Sequence, residues 1–306
     1  MASMPLPERK RALLNTYLRG NAPQANKPKT IARRPNANSA PLSYGQEQLW
    51  LLDQMEPGSL VYNESYTMRM RGILDVAALE WSLNEMVRRH EILRTTFTTE
   101  NGRPIQVIAP ELHAPLSVED LTALAPHERD SAAQRIIEAE AHWSFDLACG
   151  PLLRAALVRH DAQDHVLVVT MSHILCDEWS LGILTRELGA LYEARVRGQP
   201  SPLPALPIQY ADFAVWQREQ VHGEMLDTQL AYWKRQLAGA PVVLELPTDH
   251  PRLIEQTARG AMRSILLPPT LATALKSLSQ RESVTLYMTL LAAFQTLIGR
   301  YTQQED

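Results

Sequence analysis

The run Val166-Leu167-Val168-Val169-Thr170-Met171 constrains the fold of this chain more than any other stretch. A strand with one wet face alternates apolar and polar side chains, whereas a run that is apolar on both faces belongs inside a sheet. Leu152–His160 reads as a second strand, joined to the first through Asp161-Ala162-Gln163-Asp164. Helical patterns flank the pair in sequence. Ser43 opens a helix carrying Gln46, Leu49, Trp50 and Leu52. Asp75 caps another, whose Leu79, Leu83, Met86 and Val87 make one apolar face and which ends near His90. A third fits residues 127–143, and a fourth is N-capped by Ser180, passes Leu191 and Tyr192, and stops near Gly198-Gln199-Pro200. Arg94–Thr99 is β-branched and aromatic, and Asn101-Gly102 turns it back into Pro104–Ile108. Strands alternating with helices predict an α/β sandwich around a mixed sheet.

Composition sets the outer limits. The chain has 306 residues, 45% hydrophobic and 21% charged, with a net charge of −4. That suits one large domain or two lobes. Nothing in this balance provides the clustered basic surface that nucleic acid requires, so no nucleic-acid partner is expected. The two cysteines, Cys149 and Cys176, form no Cys-x-x-Cys pair and no disulfide framework, which suits a reducing cytosol. Neither a signal peptide nor a membrane span is evident, and the simplest expectation is a cytoplasmic protein with no membrane partner. At the N-terminus, Pro7, Leu13, Leu14, Tyr17 and Leu18 suggest a short helix over residues 7–19, ended by Gly20. The Pro-rich residues 20–41 read as a linker.

Chemistry concentrates at Ser172-His173-Ile174-Leu175-Cys176-Asp177-Glu178-Trp179-Ser180. A strand end presents its side chain to a crevice, so His173 could reach a bound substrate, with Asp177 fixing the ring or holding the bend by pairing with an arginine. For an isolated His-x-x-x-Asp, a buried histidine satisfied by a backbone carbonyl is the commoner outcome. A nucleophilic pair of Cys176 with His173 lacks an evident third orienting group.

The nonapeptide resembles the His-His-x-x-x-Asp-Gly-Trp-Ser signature of nonribosomal peptide synthetase condensation domains. Leu42-Ser43-Tyr44-Gly45-Gln46-Glu47-Gln48-Leu49-Trp50 is similar to the first motif of that family. Arg89-His90-Glu91-Ile92-Leu93-Arg94-Thr95-Thr96-Phe97 is similar to the second, and Tyr210-Ala211-Asp212-Phe213-Ala214-Val215-Trp216-Gln217 to the fourth. Ser144-Phe145-Asp146-Leu147, Gly150-Pro151-Leu152-Leu153-Arg154 and Glu245-Leu246-Pro247-Thr248-Asp249 follow the family too. The resemblance runs from about Pro35 to the last residue, and its style is closest to the subtype joining an L-configured donor to an L-configured acceptor.

The resemblance implies the two-lobed fold of chloramphenicol acetyltransferase. Residues 42–205 would form the N-terminal lobe, and residues 206–306 the lobe connection and the start of a second lobe. It implies an active site along a channel between the lobes, with no cofactor and no metal of its own. Peptidyl or acyl carrier proteins would deliver substrates on phosphopantetheine arms, next to an adenylation domain. His173 takes the family's catalytic histidine position, Asp177 is structural, and Arg94 is a candidate ion-pair partner for Asp177.

Three departures qualify that expectation. Ser172 replaces the first histidine. Glu178 replaces a glycine, where a positive φ would cost a side chain about 1 kcal/mol, and its carboxylate either perturbs His173 and Asp177 or points into solvent. The chain also ends where the family continues into most of the second lobe, with Gln303 standing where glycine is common and the apolar face of helix 284–300 lacking its usual partner. The sequence therefore leaves three functions open: a condensation domain forming amide bonds, a non-catalytic condensation-like module recruiting carrier proteins or tailoring enzymes, and a free-standing acyltransferase of the chloramphenicol acetyltransferase type.

Overall fold

The computed structural model describes residues 30–36, 38–250 and 263–304. The helix expected over 7–19 and the first part of the linker lie outside the described residues. The chain divides into two compact units, one containing Tyr62–Gln220 with the described residues up to Gly58, the other Ser59–Val61 with the described residues from Val221 onward.

The first unit runs β1 (Ser39–Pro41), α1 (Tyr44–Met55), β2 (Asn63–Arg71), α2 (Val76–Arg89), a 3-10 turn (Glu91–Arg94), β3 (Thr95–Glu100) and β4 (Arg103–Ile108). It continues through β5 (Leu116–Asp120), α3 (Pro126–Ala141), β6 (Leu153–Asp161), β7 (Asp164–Ser172), α4 (Glu178–Val196) and α5 (Tyr210–Gln220). One sheet has the order β2-β7-β6-β5, with β5 parallel to β6 and the other pairs antiparallel. The apolar run of β7 is thus an interior strand of a mixed sheet, as its composition requires. One face of that sheet packs Leu157, Leu167 and Met171 against Leu83 and Val87 of α2 and Leu188 and Leu191 of α4. The other face packs Ala156, Val158 and Val168 against Ala132 and Ala133 of α3.

Local chemistry explains the element ends. Asp75 accepts from the Ala78 N–H at 2.9 Å and caps α2. Ser43 and Gln46 form a reciprocal capping box at α1. Asn101 and Gly102 turn β3 into β4 with φ of 51° and 75°, the left-handed pair that a tight hairpin needs. The second sheet, β1-β4-β3, is antiparallel. Its β1 falls within the stretch expected as linker: the end of that stretch is built into the unit.

The second unit contains α6 (Gly223–Gln236), α7 (Pro269–Arg281) and α8 (Leu286–Thr302). Ser279 and Thr289 share a hydrogen bond of 2.7 Å between α7 and α8. Leu290, Leu291, Phe294 and Leu297 of α8 are exposed. Among the described residues, no helix is long and apolar enough to cross a membrane.

Candidate active site

His173 is the first residue beyond β7. Its N–H donates to Tyr62 O at 2.8 Å, carrying the β2–β7 ladder one pair past the Asn63–Ser172 pairing. The chain then turns, with Leu175 N–H donating to Ser172 O at 2.9 Å, and enters α4. Ile174 and Leu175 anchor this turn among Leu42, Phe97, Phe145 and Leu152. The imidazole is therefore mounted between a fixed strand and a fixed helix.

Asp177, rather than the expected Ser180, is the N-cap of α4. Its Oδ1 accepts from the Ser180 N–H at 2.8 Å and from the Ser180 hydroxyl, while Asp177 N–H faces Ser180 Oγ at 3.4 Å. These donors, the hydroxyl foremost, hold the Asp177 carboxyl below the usual carboxylate range. Arg94 is not its partner. The Arg94 guanidinium donates to Ala109 O at 2.8 Å, Arg88 O at 3.0 Å and Val87 O at 3.1 Å, tying the end of α2 to the exit of β4. Nε and Nη1 are engaged by carbonyls, and the carboxylate within reach of Nη2 is Glu91, at 4.0 Å, rather than Asp177.

Glu178 occupies the first position of α4, exposed, with ordinary backbone geometry. Among described non-glycine residues only Asn101, Ser283 and Gln303 have positive φ, so this bend has no need of glycine. Of the two alternatives for its carboxylate, the solvent-facing one is observed, in the first turn where the helix dipole favours an anion. Ser172 is buried and, as the strand neighbour of His173, sits outside the lining of the cavity described next.

That cavity has a volume of about 820 Å³ and is lined from within the first unit by His173, Asp177 and Ser180 together with side chains of α1, α4 and α5. Its size matches sites that enclose small organic ligands. A second polar pair borders it: His90 Nε2 lies 2.7 Å from Glu187 Oε2, which also accepts from Arg89 Nε at 3.0 Å. Burial pushes the Glu187 carboxyl up, but these two donors outweigh it and hold it low. Cys176 also lines the cavity, and burial pushes its thiol up to about 12, so it stays protonated and is no nucleophile.

His173 Nδ1 is buried and lies 3.2 Å from Glu64 Oε1, off the angle of a formed hydrogen bond. The ring lines the cavity, and Nδ1 is its buried nitrogen. Glu64 carries no mark in the sequence. Its strand, β2, alternates Tyr66, Met68 and Met70 with Thr67, Arg69 and Arg71, but the opening Asn63-Glu64-Ser65 is polar on both faces and gives no signal. The contact arises only when β2 pairs with β7. Among the described residues no cluster of His, Cys, Asp and Glu is arranged to hold a metal ion.

The sequence model of the condensation domain matches residues 36–306. One of the linear gramicidin synthase proteins of Brevibacillus parabrevis is 48% identical over 266 residues, 87% of this chain and 5% of that protein. Phosphinothricin tripeptide synthetase PhsC of Streptomyces viridochromogenes is 42% identical over 302 residues, 98% of this chain and 28% of that protein. The chain thus spans a small part of the curated relatives it matches. Among solved structures, the X-domain of teicoplanin biosynthesis in its complex with OxyB superposes with a TM-score of 0.75 at 28% identity, over 89% of this chain and 59% of the other. The motifs around Trp50, Arg94, His173 and Trp216 therefore stand in the family that their order suggested: the chain belongs to the condensation-domain family of nonribosomal peptide synthetases.

Proposed function

We propose that this chain forms an amide bond between a donor acyl or peptidyl thioester and an acceptor aminoacyl thioester, each carried on the phosphopantetheine arm of a carrier protein. The observation that carries this reading is His173 at the end of β7, lining a cavity of about 820 Å³. The acceptor nitrogen attacks the donor carbonyl carbon, the C–N bond forms and the C–S bond breaks. The proton leaving nitrogen passes through Nε2 to the departing sulfur, which leaves as a free thiol. An α-amine titrates near 7.7–8.0 in general, so much of it is already neutral and orientation supplies a large share of the rate. His173 is a positioning group for the amine as much as a base. Asp177 acts by holding the bend.

The test is amide formation between two loaded carrier proteins. His173→Ala is expected to lower it by about 10²-fold or more, and an unchanged rate would sink the reading. A recruitment module is the second reading, favoured by the likeness to an X-domain solved in complex with OxyB. It predicts partner binding that survives His173→Ala in a chain with no condensation activity, so a chain that forms amide bonds through His173 counts against it.

A further inference from the structure

We infer that Glu64 is the positioning residue for His173, fixing the ring so that Nδ1 carries the proton and Nε2 presents its lone pair to the cavity. This rests on the catalytic reading above for its effect on rate, though not for its effect on the ring.

The placement follows from strand register. Tyr62 stands opposite His173 in the β2–β7 ladder, and Glu64 pairs with Met171. Glu64 is thus two residues along β2 from the partner of His173, and on the same face of the sheet. Diagonal neighbours of this kind lie about 7–8 Å apart at the backbone, a gap that a glutamate and an imidazole span together. The observed approach, Oε1 to Nδ1 at 3.2 Å, is that diagonal contact.

Three further observations separate this role from a chance surface pairing. His173 Nδ1 is a buried ring nitrogen with no formed hydrogen bond, a state that folded proteins normally avoid. Glu64 is the carboxylate within salt-bridge distance of that nitrogen. The aspartate that the motif places nearby is committed to the cap of α4 through the Ser180 hydroxyl and N–H. A small rotation of the imidazole converts the misaligned approach into an Nδ1–H···Oε1 hydrogen bond. In a neutral imidazole one nitrogen donates and the other accepts, so anchoring the proton at Nδ1 leaves Nε2 as the acceptor. The two side chains are 33% and 36% exposed, so the effect is one of orientation and tautomer, with the charge screened by solvent.

The experiment uses the chain selectively labelled with ¹⁵N-histidine, recorded at alkaline pH where imidazoles in general are neutral. His173 is assigned by comparison with His173→Ala. In the wild type His173 is expected to show an Nδ1–H, Nε2-bare pattern. Glu64→Leu is expected to move it toward the Nε2–H form and to lower kcat by roughly 10-fold to 10²-fold with KM little changed. Glu64→Gln keeps an acceptor without the charge and is expected to retain the tautomer and most of the rate. A His173 pattern identical in the wild type and Glu64→Leu would overturn the inference, as would a Glu64→Leu chain condensing at the wild-type rate. If the wild type has no condensation activity while the tautomer shifts as described, the catalytic reading fails and the positioning of the ring by Glu64 stands.

Discussion

At the scale of the residue, the signature peptide divides into groups that touch the cavity and groups that shape the turn. Asp177 belongs chiefly to the second set, because its carboxylate caps α4 through Ser180. Asparagine caps a helix as well as aspartate does, and alanine does not. Asp177→Asn is therefore expected to unfold within a few tenths of a kcal/mol of the wild type, and Asp177→Ala to lose about 1 kcal/mol, both read from urea denaturation at constant m. Glu178 is the complementary case. A glycine there would relieve no strain, since φ is not positive, and would remove a first-turn acid. Glu178→Gly is expected to leave condensation no faster and the chain less stable by about 0.5–1 kcal/mol, measured in the same titration. The histidine is legible in the sequence because the long apolar run of β7 ends at it and the Asp177-x-x-Ser180 start of a helix follows four residues on. Glu64 is not, because nothing in Asn63-Glu64-Ser65-Tyr66 announces which strand it will pair with. The cap is ambiguous for a related reason: Asp177 and Ser180 satisfy each other, and either reads as the cap until the first helical residue is known.

At the scale of the element, periodicity describes the interior better than the edges. The buried β6 and β7 and the one-faced helix α2 carry their pattern in their own side chains. Edge strands draw their definition from one neighbour: β1 is three residues long, and β2 alternates only in its later part, through Tyr66, Met68 and Met70. The interior has its own titrating group. His165 near the start of β7 is buried, with Nδ1 unpartnered, between Arg159 of β6 and Met70 of β2. Burial, with Arg159 adding to it, holds the imidazole below its ordinary value against the pull of Asp164, Asp161 and Asp120. A depressed histidine means that the unfolded chain binds the proton first as pH falls. Stability is then flat above about pH 6.5 and is lost on acidification below it, down to the folded value. His165→Leu is expected to remove that part of the slope, whatever it does to stability at neutral pH, in denaturation curves taken from about pH 7 to about pH 5. An unchanged slope would assign the effect elsewhere. At the far end of the chain, Gln303 ends α8 in the left-handed region at φ 56°, its N–H donating to Gly299 O at 2.8 Å. The left-handed backbone is the reason glycine, expected here from the resemblance, would suit this position. Gln303→Gly is expected to raise the thermal midpoint, by an amount equivalent to about 0.5–1 kcal/mol.

At the scale of the whole first unit, the cavity wall depends on a buried charge network joining three distant segments. Arg34 donates from Nη1 to Asp212 Oδ1 at 2.8 Å and from Nη2 to Glu91 Oε2 at 2.6 Å. Its backbone N–H also reaches Asp212, and Gln209 N–H caps the other carboxylate oxygen at 2.8 Å. The side chains of Arg34 and Asp212 are only 5% and 2% exposed, so neither has water to fall back on. The network locks the segment before β1 and the 3-10 turn onto α5. That helix in turn reaches the N-cap of α1 through Tyr210 to Ser43, and the residue before it through Arg218 to Leu42 O, and lends Tyr210 and Phe213 to the cavity. Replacing a buried pair outright can be neutral, but removing one partner strands the other charge. Arg34→Met is expected to cost about 3–5 kcal/mol at neutral pH, because Asp212 and Glu91 lose their shared cation. Burial raises the Asp212 carboxyl, yet the Gln209 and Arg34 N–H donors and the guanidinium outweigh it and leave the group below its ordinary range. A depressed carboxylate contributes stability above its unfolded value near 3.9 and loses it as pH falls through the folded value. The gap between wild type and Arg34→Met is accordingly expected to narrow on acidification. A double-mutant cycle with Asp212→Asn is expected to show the two losses to be strongly non-additive. A gap that stays constant with pH would mean that Arg34 acts through packing, and that the cavity wall is held by its apolar contacts alone.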